Sequence, residues 1–557
     1  MALGLARDRS VISEAVISEE HGSKPHMSMP SFPRPPAAPS PAPGSRPSFS
    51  HRDILIIFGG LMGGLFLAAL DQTVVATALP TIVGELGGLD YYSWVVTAYL
   101  LSSTVSTPLY GKISDMYGRR IVLQVAIVVF LVGSLLAGVA ADMLQLVIFR
   151  GLQGIGAGGL MAMTFAVIGD VVSPRERGRY IGLLAGVWAF ASVIGPFIGG
   201  FIVDNISWRW VFLINLPVGL VALLVMSRVL RLPPVHRPHR LDIEGAMLLV
   251  VGVTALLLAL VWGGVDYPWS SPRIIGLVGT GTVALVGFAM WEARVEEPIL
   301  PLRLFASSVF SISSALGFLI GVALFGGVIF LPLFLQIVSG VSATNSGLLI
   351  LPLTAGIVVG SVGSGRIISA TGRYRLWPIG GMALASVGMY LLSTMTAATP
   401  FTVSGVYMVL MGLGVGGAMQ VTVLVVQNAA DYRDLGVATS SVQFFRQMGG
   451  AFGVAVFGAI MNARLAWELP RRVPPSAVAS VDGDISRLLN SPAMIRELAP
   501  DVARGIAGSV EVAIQSVFWW AVPMMLLGFI LSWFLEEIPL RETVGPESDT
   551  AVESTLA

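Results

Sequence analysis

From Ile54 onward the chain is a succession of apolar stretches separated by brief polar breaks. Fourteen of these stretches are long enough to cross, as helices, a hydrocarbon core about 30 Å thick. The expected spans are 54–79, 92–110, 121–140, 143–170, 180–203, 210–230, 243–263, 274–291, 310–338, 346–368, 376–396, 401–428, 436–461 and 513–535. With 55% of residues hydrophobic and 12% charged, the chain carries far more apolar surface than a soluble core can hold. The expected class is an all-α integral membrane protein with 14 transmembrane helices.

The net charge of zero hides a pattern, because basic residues gather in alternate breaks. They are Lys112, Arg119 and Arg120; Arg175, Arg177 and Arg179; Arg228, Arg231, Arg237 and Arg240; Arg294 and Arg303; Arg366, Arg373 and Arg375; and Arg433. The intervening short breaks hold only Arg209 and Arg273, so the positive-inside rule expects both termini in the cytoplasm. The basic segment 462–510 is long, and long loops cross regardless of charge, so it is expected outside. Residues 1–50, rich in Pro, Ser and Ala, are expected to form a disordered cytoplasmic tail that lacks a signal-peptide core, and 541–557 a second such tail. Nothing favours nucleic-acid binding. The absence of cysteine excludes disulfides and thiolate chemistry, and no metal or other cofactor is expected.

Asp71 is the one carboxylate that reads as buried at bilayer depth. An ionisable group there is expensive and by default functional, commonly a proton or ion site with a cationic partner. It lies about 12 Å below the end of its span, and Arg150 about 11 Å below the end of the fourth, so the two share a depth. An aspartate facing an arginine stays ionised, while protonation frees the arginine and changes the field around it. The expectation is a proton switch; the alternative is a static ion pair that fixes helix packing. The five histidines lie outside the spans and cannot take this part.

A weak repeat organises the spans. Gly111-Lys-Ile-Ser-Asp115-Met-Tyr-Gly118-Arg119 after the second is echoed by Gly365-Arg-Ile-Ile-Ser369-Ala-Thr-Gly372-Arg373 after the tenth. Gly154-Ile-Gly156-Ala-Gly158-Gly159 in the fourth is echoed by Gly412-Leu-Gly414-Val-Gly416-Gly417 in the twelfth. An offset of eight spans implies two six-helix halves with a two-helix insert. The expected domains are 51–235, an insert at 236–300, and 301–540. Repeated halves of this kind place a substrate site at their interface and rock about it. Both glycine runs also fit a dinucleotide fingerprint, but neither follows a strand, so close helix packing is the better reading.

Five stretches together resemble the major facilitator superfamily, in particular its fourteen-span drug:proton antiporter branch, over residues 54–535. They are Leu70-Asp71-Gln-Thr73 to Pro80, Gly111 to Arg120, Arg150-Gly151-Leu-Gln153-Gly154-Ile-Gly156, Gly195-Pro196-Phe-Ile-Gly199-Gly200, and Trp208-Arg209-Trp210 through Asn215 to Gly219. Arg446-Gln447-Met-Gly449-Gly450 matches a further pattern of the family. The resemblance implies a major facilitator fold of two six-helix bundles plus two inserted helices. It implies a gating role for Gly111, Asp115, Gly118, Arg119 and Arg120, latching the halves when the cavity faces outward, with Asp170 a partner for Arg119. The other reading of that segment is a positive-inside anchor. Gly111 and Gly118 are expected in tight turns, and Ser369 in place of Asp115 makes the latch one-sided. The Gly195 to Gly200 stretch reads physically as packing plus a proline bend; the resemblance adds the label of an antiporter signature and chooses exchange over symport.

Arg446 is expected about 15 Å deep, either facing a cavity or bridging backbone. Further cavity candidates are Thr73, Tyr99, Gln153, Trp188, Gln336, Gln420, Gln427 and Gln443, each also readable as a packing residue. The expected function is proton-coupled export of lipophilic drugs or small metabolites by a monomer. The alternatives are a nutrient importer and, from another class, a membrane sensor or embedded enzyme. No convergent acid, base or metal set supports an enzyme, no filter loop a channel, and no phosphate-binding loop an ATPase.

Overall fold

The computed structural model describes residues 51–86, 92–230, 242–264, 267–296, 298–341, 343–431, 434–473 and 499–541. The expected tail 1–50, and all of the expected tail 541–557 except Arg541, lie outside the described residues. The fold is all-α. The first five helices are α1 (His51–Leu86), α2 (Tyr92–Tyr117), α3 (Arg119–Gly138), α4 (Met143–Val171) and α5 (Pro174–Asn205). Next come α6 (Trp210–Leu213), α7 (Asn215–Val229), α8 (Ile243–Trp262), α9 (Pro272–Glu292), α10 (Ser308–Ile337) and α11 (Ala343–Leu349). The last are α12 (Leu351–Thr371), α13 (Leu376–Ser393), α14 (Phe401–Ala429), α15 (Leu435–Arg472) and α16 (Pro500–Ser532).

Among the described residues, 12 helical segments are long and apolar enough to cross a membrane. This is fewer than the fourteen expected, and the difference falls on α2 and α5. Both are long, at 26 and 32 residues. The apolarity of α2 is diluted by Ser102, Ser103, Thr104, Ser106 and Thr107, while several side chains of α5 lie outside the described residues. The α2 hydroxyls are accommodated inside a packed bundle because they bond their own helix, Ser102 to the Ala98 carbonyl at 2.7 Å and Thr104 to that of Leu100 at 2.8 Å.

Other boundaries also move. The expected span 210–230 is broken into α6 and α7, and 346–368 into α11 and α12 with Pro352 in the first turn of α12. Most of the two ends of the expected loop 462–510 is helical. α15 runs on to Arg472, where Glu468 pairs with Arg464 at 3.2 Å and with Arg472 at 3.3 Å, and α16 begins at Pro500. Such i,i+4 pairs carry a helix past the end of its apolar stripe. Residues 474–498 of that expected loop lie outside the described residues. The expected turn at Gly111 is absent too, since α2 continues through it to Tyr117; Gly118, at φ 90°, alone makes the turn into α3.

The glycine runs set the packing. A Cβ on Gly154 or Gly158 of α4 would meet the Tyr99 or Ser103 carbonyl of α2 at 2.4 and 2.3 Å, while one on Gly156 would meet Phe130 of α3. In α14, a Cβ on Gly412 or Gly416 would lie 2.2 Å from the Leu353 or Ile357 carbonyl of α12, and one on Gly414 would meet Ala385 of α13. The repeat seen in sequence is thus a repeat of contacts, with small residues admitting backbone against backbone. The α8–α9 hairpin packs through α8 onto α2 and α15, with Trp94 stacked edge-on against Trp262 at 5.3 Å.

Candidate functional site

Asp71 and Arg150 meet. Both are 1% exposed, and the Arg150 Nη1 donates to Asp71 Oδ2. α1 and α4 supply the pair, and three further groups complete it. Gln153, one turn after Arg150, donates to Asp71 Oδ1 at 2.8 Å while its own carbonyl accepts from Arg150 at 2.8 Å. Asn215, at the start of α7, donates to the same Oδ1 at 3.0 Å. The Ser134 hydroxyl of α3 accepts from both amides, at 3.1 and 3.0 Å, and donates to the Phe212 carbonyl at 2.8 Å. The Tyr99 ring lies under the guanidinium, 4.1 Å from its carbon, with its hydroxyl on the Ala68 carbonyl. A buried charge is tolerable when paired and hydrogen-bonded in this way. Arg150 occupies one carboxylate oxygen of Asp71, and Gln153 and Asn215 share the other.

The second cluster sits at the far end of α2. Arg119 pairs with Asp115 at 2.6 Å and with Asp170, at the end of α4, at 2.7 Å, and also reaches the Ser114 hydroxyl. Asp115 in turn accepts from the backbone N–H of Gly436 at 3.3 Å and of Val437 at 3.0 Å. These are orphan donors of the first turn of α15, where a helix favours negative charge. Gly111 is where the two helices touch: a Cβ there would lie 1.9 Å from the Ser440 hydroxyl and 2.9 Å from the Gly436 carbonyl. The echo does the same on the other side, since a Cβ on Gly365 of α12 would lie 2.0 Å from the Gly178 carbonyl of α5. Arg120 is not part of this contact; it donates to the Ser227 carbonyl and ties α3 to α7.

The remaining expected residues divide. Thr73 bridges α1 to the Ala191 carbonyl of α5 at 3.2 Å, and Gly195 is the residue that makes room for it. Nothing stands within 4 Å of a Cβ on Gly200, so that glycine is not a packing contact. Gly199 is buried, and the Pro196 side chain lies outside the described residues. Trp188 is half-buried on α5. Gln336 donates to Ser346 at 2.9 Å, and Gln427 to the Phe165 carbonyl at 2.9 Å and Thr439 at 3.2 Å. The guanidinium of Arg446 lies over the Phe165 ring of α4 at 5.8 Å. Gln420 and Gln443 are each 1% exposed, and neither end of either amide has a hydrogen-bond partner among the described residues.

Sequence reasoning missed Asn215 and Ser134, because neutral polar residues inside apolar runs have too many ordinary uses to stand out. It also missed Arg303, whose Nη2 lies 2.8 and 3.0 Å from the two carboxylate oxygens of Asp434 before α15. Among the described residues, no three His, Asp or Glu side chains are grouped to hold a metal.

A bundle of long apolar helices around a buried ion pair defines a polytopic membrane protein. The Major Facilitator Superfamily profile matches residues 61–454, and the chain belongs to that family. An uncharacterized MFS-type transporter of Mycobacterium tuberculosis is 42% identical over 519 residues, covering 91% of this chain and 74% of its own length. The multidrug transporter protein MdtP of Bacillus subtilis is 38% identical, covering 88% of this chain and 94% of its own. The efflux pump FUS6 of Gibberella fujikuroi is 34% identical over 92% of this chain and 95% of its own. Among solved structures, the human organic anion transporter MFSD10 aligns with a TM-score of 0.58 at 14% identity, covering 86% of this chain and 99% of its own, a likeness of fold alone.

Proposed function

We propose that the protein is a proton-coupled antiporter that exports lipophilic drugs or related small molecules across the cytoplasmic membrane by alternating access. The observation that carries this reading is the buried Asp71–Arg150 pair with its three neutral partners. Asp71 takes a proton from outside as substrate leaves and gives it up inside, and Arg150, Gln153 and Asn215 set its affinity. The names borne by the multidrug and efflux relatives support export over import.

In this reading α2 and α5 also cross the membrane, giving fourteen spans, with α6–α7 and α11–α12 counted as one span each. α1 to α7 and α10 to α16 form two six-helix halves around the α8–α9 insert, and both termini face the cytoplasm. The Asp115–Arg119–Asp170 cluster is then the cytoplasmic latch, closed here, as an outward-facing state requires. Gln420 and Gln443 bring unpaired amides to helices at the junction of the halves, and these suit a neutral or singly charged ligand with hydrogen-bonding groups. The transporter works as a monomer.

The test is uptake of a lipophilic cation into everted vesicles. Wild type accumulates the compound under a proton gradient and loses it on adding an uncoupler, whereas Asp71→Asn, expressed to the same level, does neither. Gradient-driven uptake by Asp71→Asn, or accumulation only in right-side-out vesicles, sinks the proposal.

A further inference from the structure

The latch accounts for one end of the seam between α2 and α15. Ten residues further along α15, about 15 Å away, a second set of bonds crosses the same seam. The Gln447 carbonyl oxygen accepts from the hydroxyls of Ser103 and Thr104, each at 3.3 Å, and its amide nitrogen donates to the Thr107 hydroxyl at 3.2 Å. The three hydroxyls share one face of α2, and Gln447 is half-buried between the helices.

The two sides of this contact are unequal. The α2 hydroxyls already have partners on their own helix and keep them when the seam parts, Thr104 the Leu100 carbonyl at 2.8 Å and Thr107 that of Ser103 at 2.7 Å. Among the described residues, every side-chain hydrogen bond that Gln447 makes goes to α2. On parting it is left with a bare amide, which has to be met by water or by the transported molecule.

We infer that Gln447 is a positioning residue of the transport cycle, a clasp at mid-helix that sets how readily α2 and α15 separate. The inference rests on the alternating-access reading above, but not on its proton chemistry or its substrate.

The experiment uses the full-length chain, which contains no cysteine, so a single Val437→Cys thiol at the closed end is the only reactive one. Val437 is 3% exposed, and its label by a membrane-impermeant maleimide reports opening of that end. Labelling is read in vesicles of both orientations, without gradient or substrate. Gln447→Leu is expected to raise the labelling rate several-fold with little change in melting temperature, and Thr107→Val to raise it less. Combining the two should add nothing to Gln447→Leu alone, because both remove the same bond. Unchanged rates in both single variants, or effects that multiply, overturn the inference. Should Gln447→Leu fail to fold, Gln447→Met and Thr107→Val decide in the same assay. Loss of coupling in Asp71→Asn leaves this readout intact, so the two proposals fail separately.

Discussion

The carboxylate of Asp115 on α2 accepts the backbone N–H of Val437 on α15 at 3.0 Å, joining residues 322 positions apart. An acid at a helix N-terminus acts both as hydrogen-bond acceptor and as charge against the helix dipole. Asp115→Asn keeps the first and removes the second, along with the charge that pairs with Arg119. The expected loss is about 1 kcal/mol of closed-state preference, roughly a fivefold change in population. Maleimide labelling of a Val437→Cys thiol measures it, with Asp115→Ala, which loses both, labelled faster still.

Removing Arg150 leaves Asp71 buried without its cationic partner. Breaking a buried pair from one side costs about 3–5 kcal/mol, so Arg150→Ala should unfold at markedly lower temperature than wild type in detergent. Asp71→Asn retains its amide partners and is expected to remain folded. The double variant Asp71→Asn, Arg150→Met should recover much of the loss while staying uncoupled. A double variant no more stable than Arg150→Ala would show that the charge was not what made the single change costly.

Ser369 occupies on α12 the place that Asp115 has on α2, and its buried hydroxyl has no hydrogen-bond partner among the described residues. A Cβ on Gly178 of α5 would sit 3.2 Å from that hydroxyl, which puts Ser369 over the start of α5. Ser369→Asp is expected to build a second latch and slow transport while raising thermal stability. Transport rate and melting temperature should move in opposite directions; a fall in both would mean the new charge finds no helix end to cap.

Two glycines with different surroundings test the packing. Gly154→Val drives a side chain against the Tyr99 carbonyl and should cost about 1–3 kcal/mol or more through overpacking. Gly200→Ala meets nothing within 4 Å and should be neutral or stabilising by about 0.5–1 kcal/mol from helix propensity. Unfolding temperatures of the two variants make the comparison.

The sequence made Asp71 and Arg150 legible because charge inside an apolar run is rare enough to demand a reason, and their common depth follows from helix rise alone. The repeat was legible because glycine spacing records which faces touch. What escaped it depended on partners remote in sequence. Asp115 finds its counterpart only when α15 comes to rest on α2, Gly111 is a contact and not a turn for the same reason, and Asn215 becomes a partner of Asp71 only through the placing of α7. The extension of α15 to Arg472 was hidden because apolar periodicity stops before the ion pairs that sustain the helix do.

The glycine faces of α4 and α14 bring those helices against the backbone of their neighbours, so neither can slide or swell against the backbone it touches. Any shape change at these contacts is therefore a rotation of stiff blocks and not a remoulding of the faces that touch.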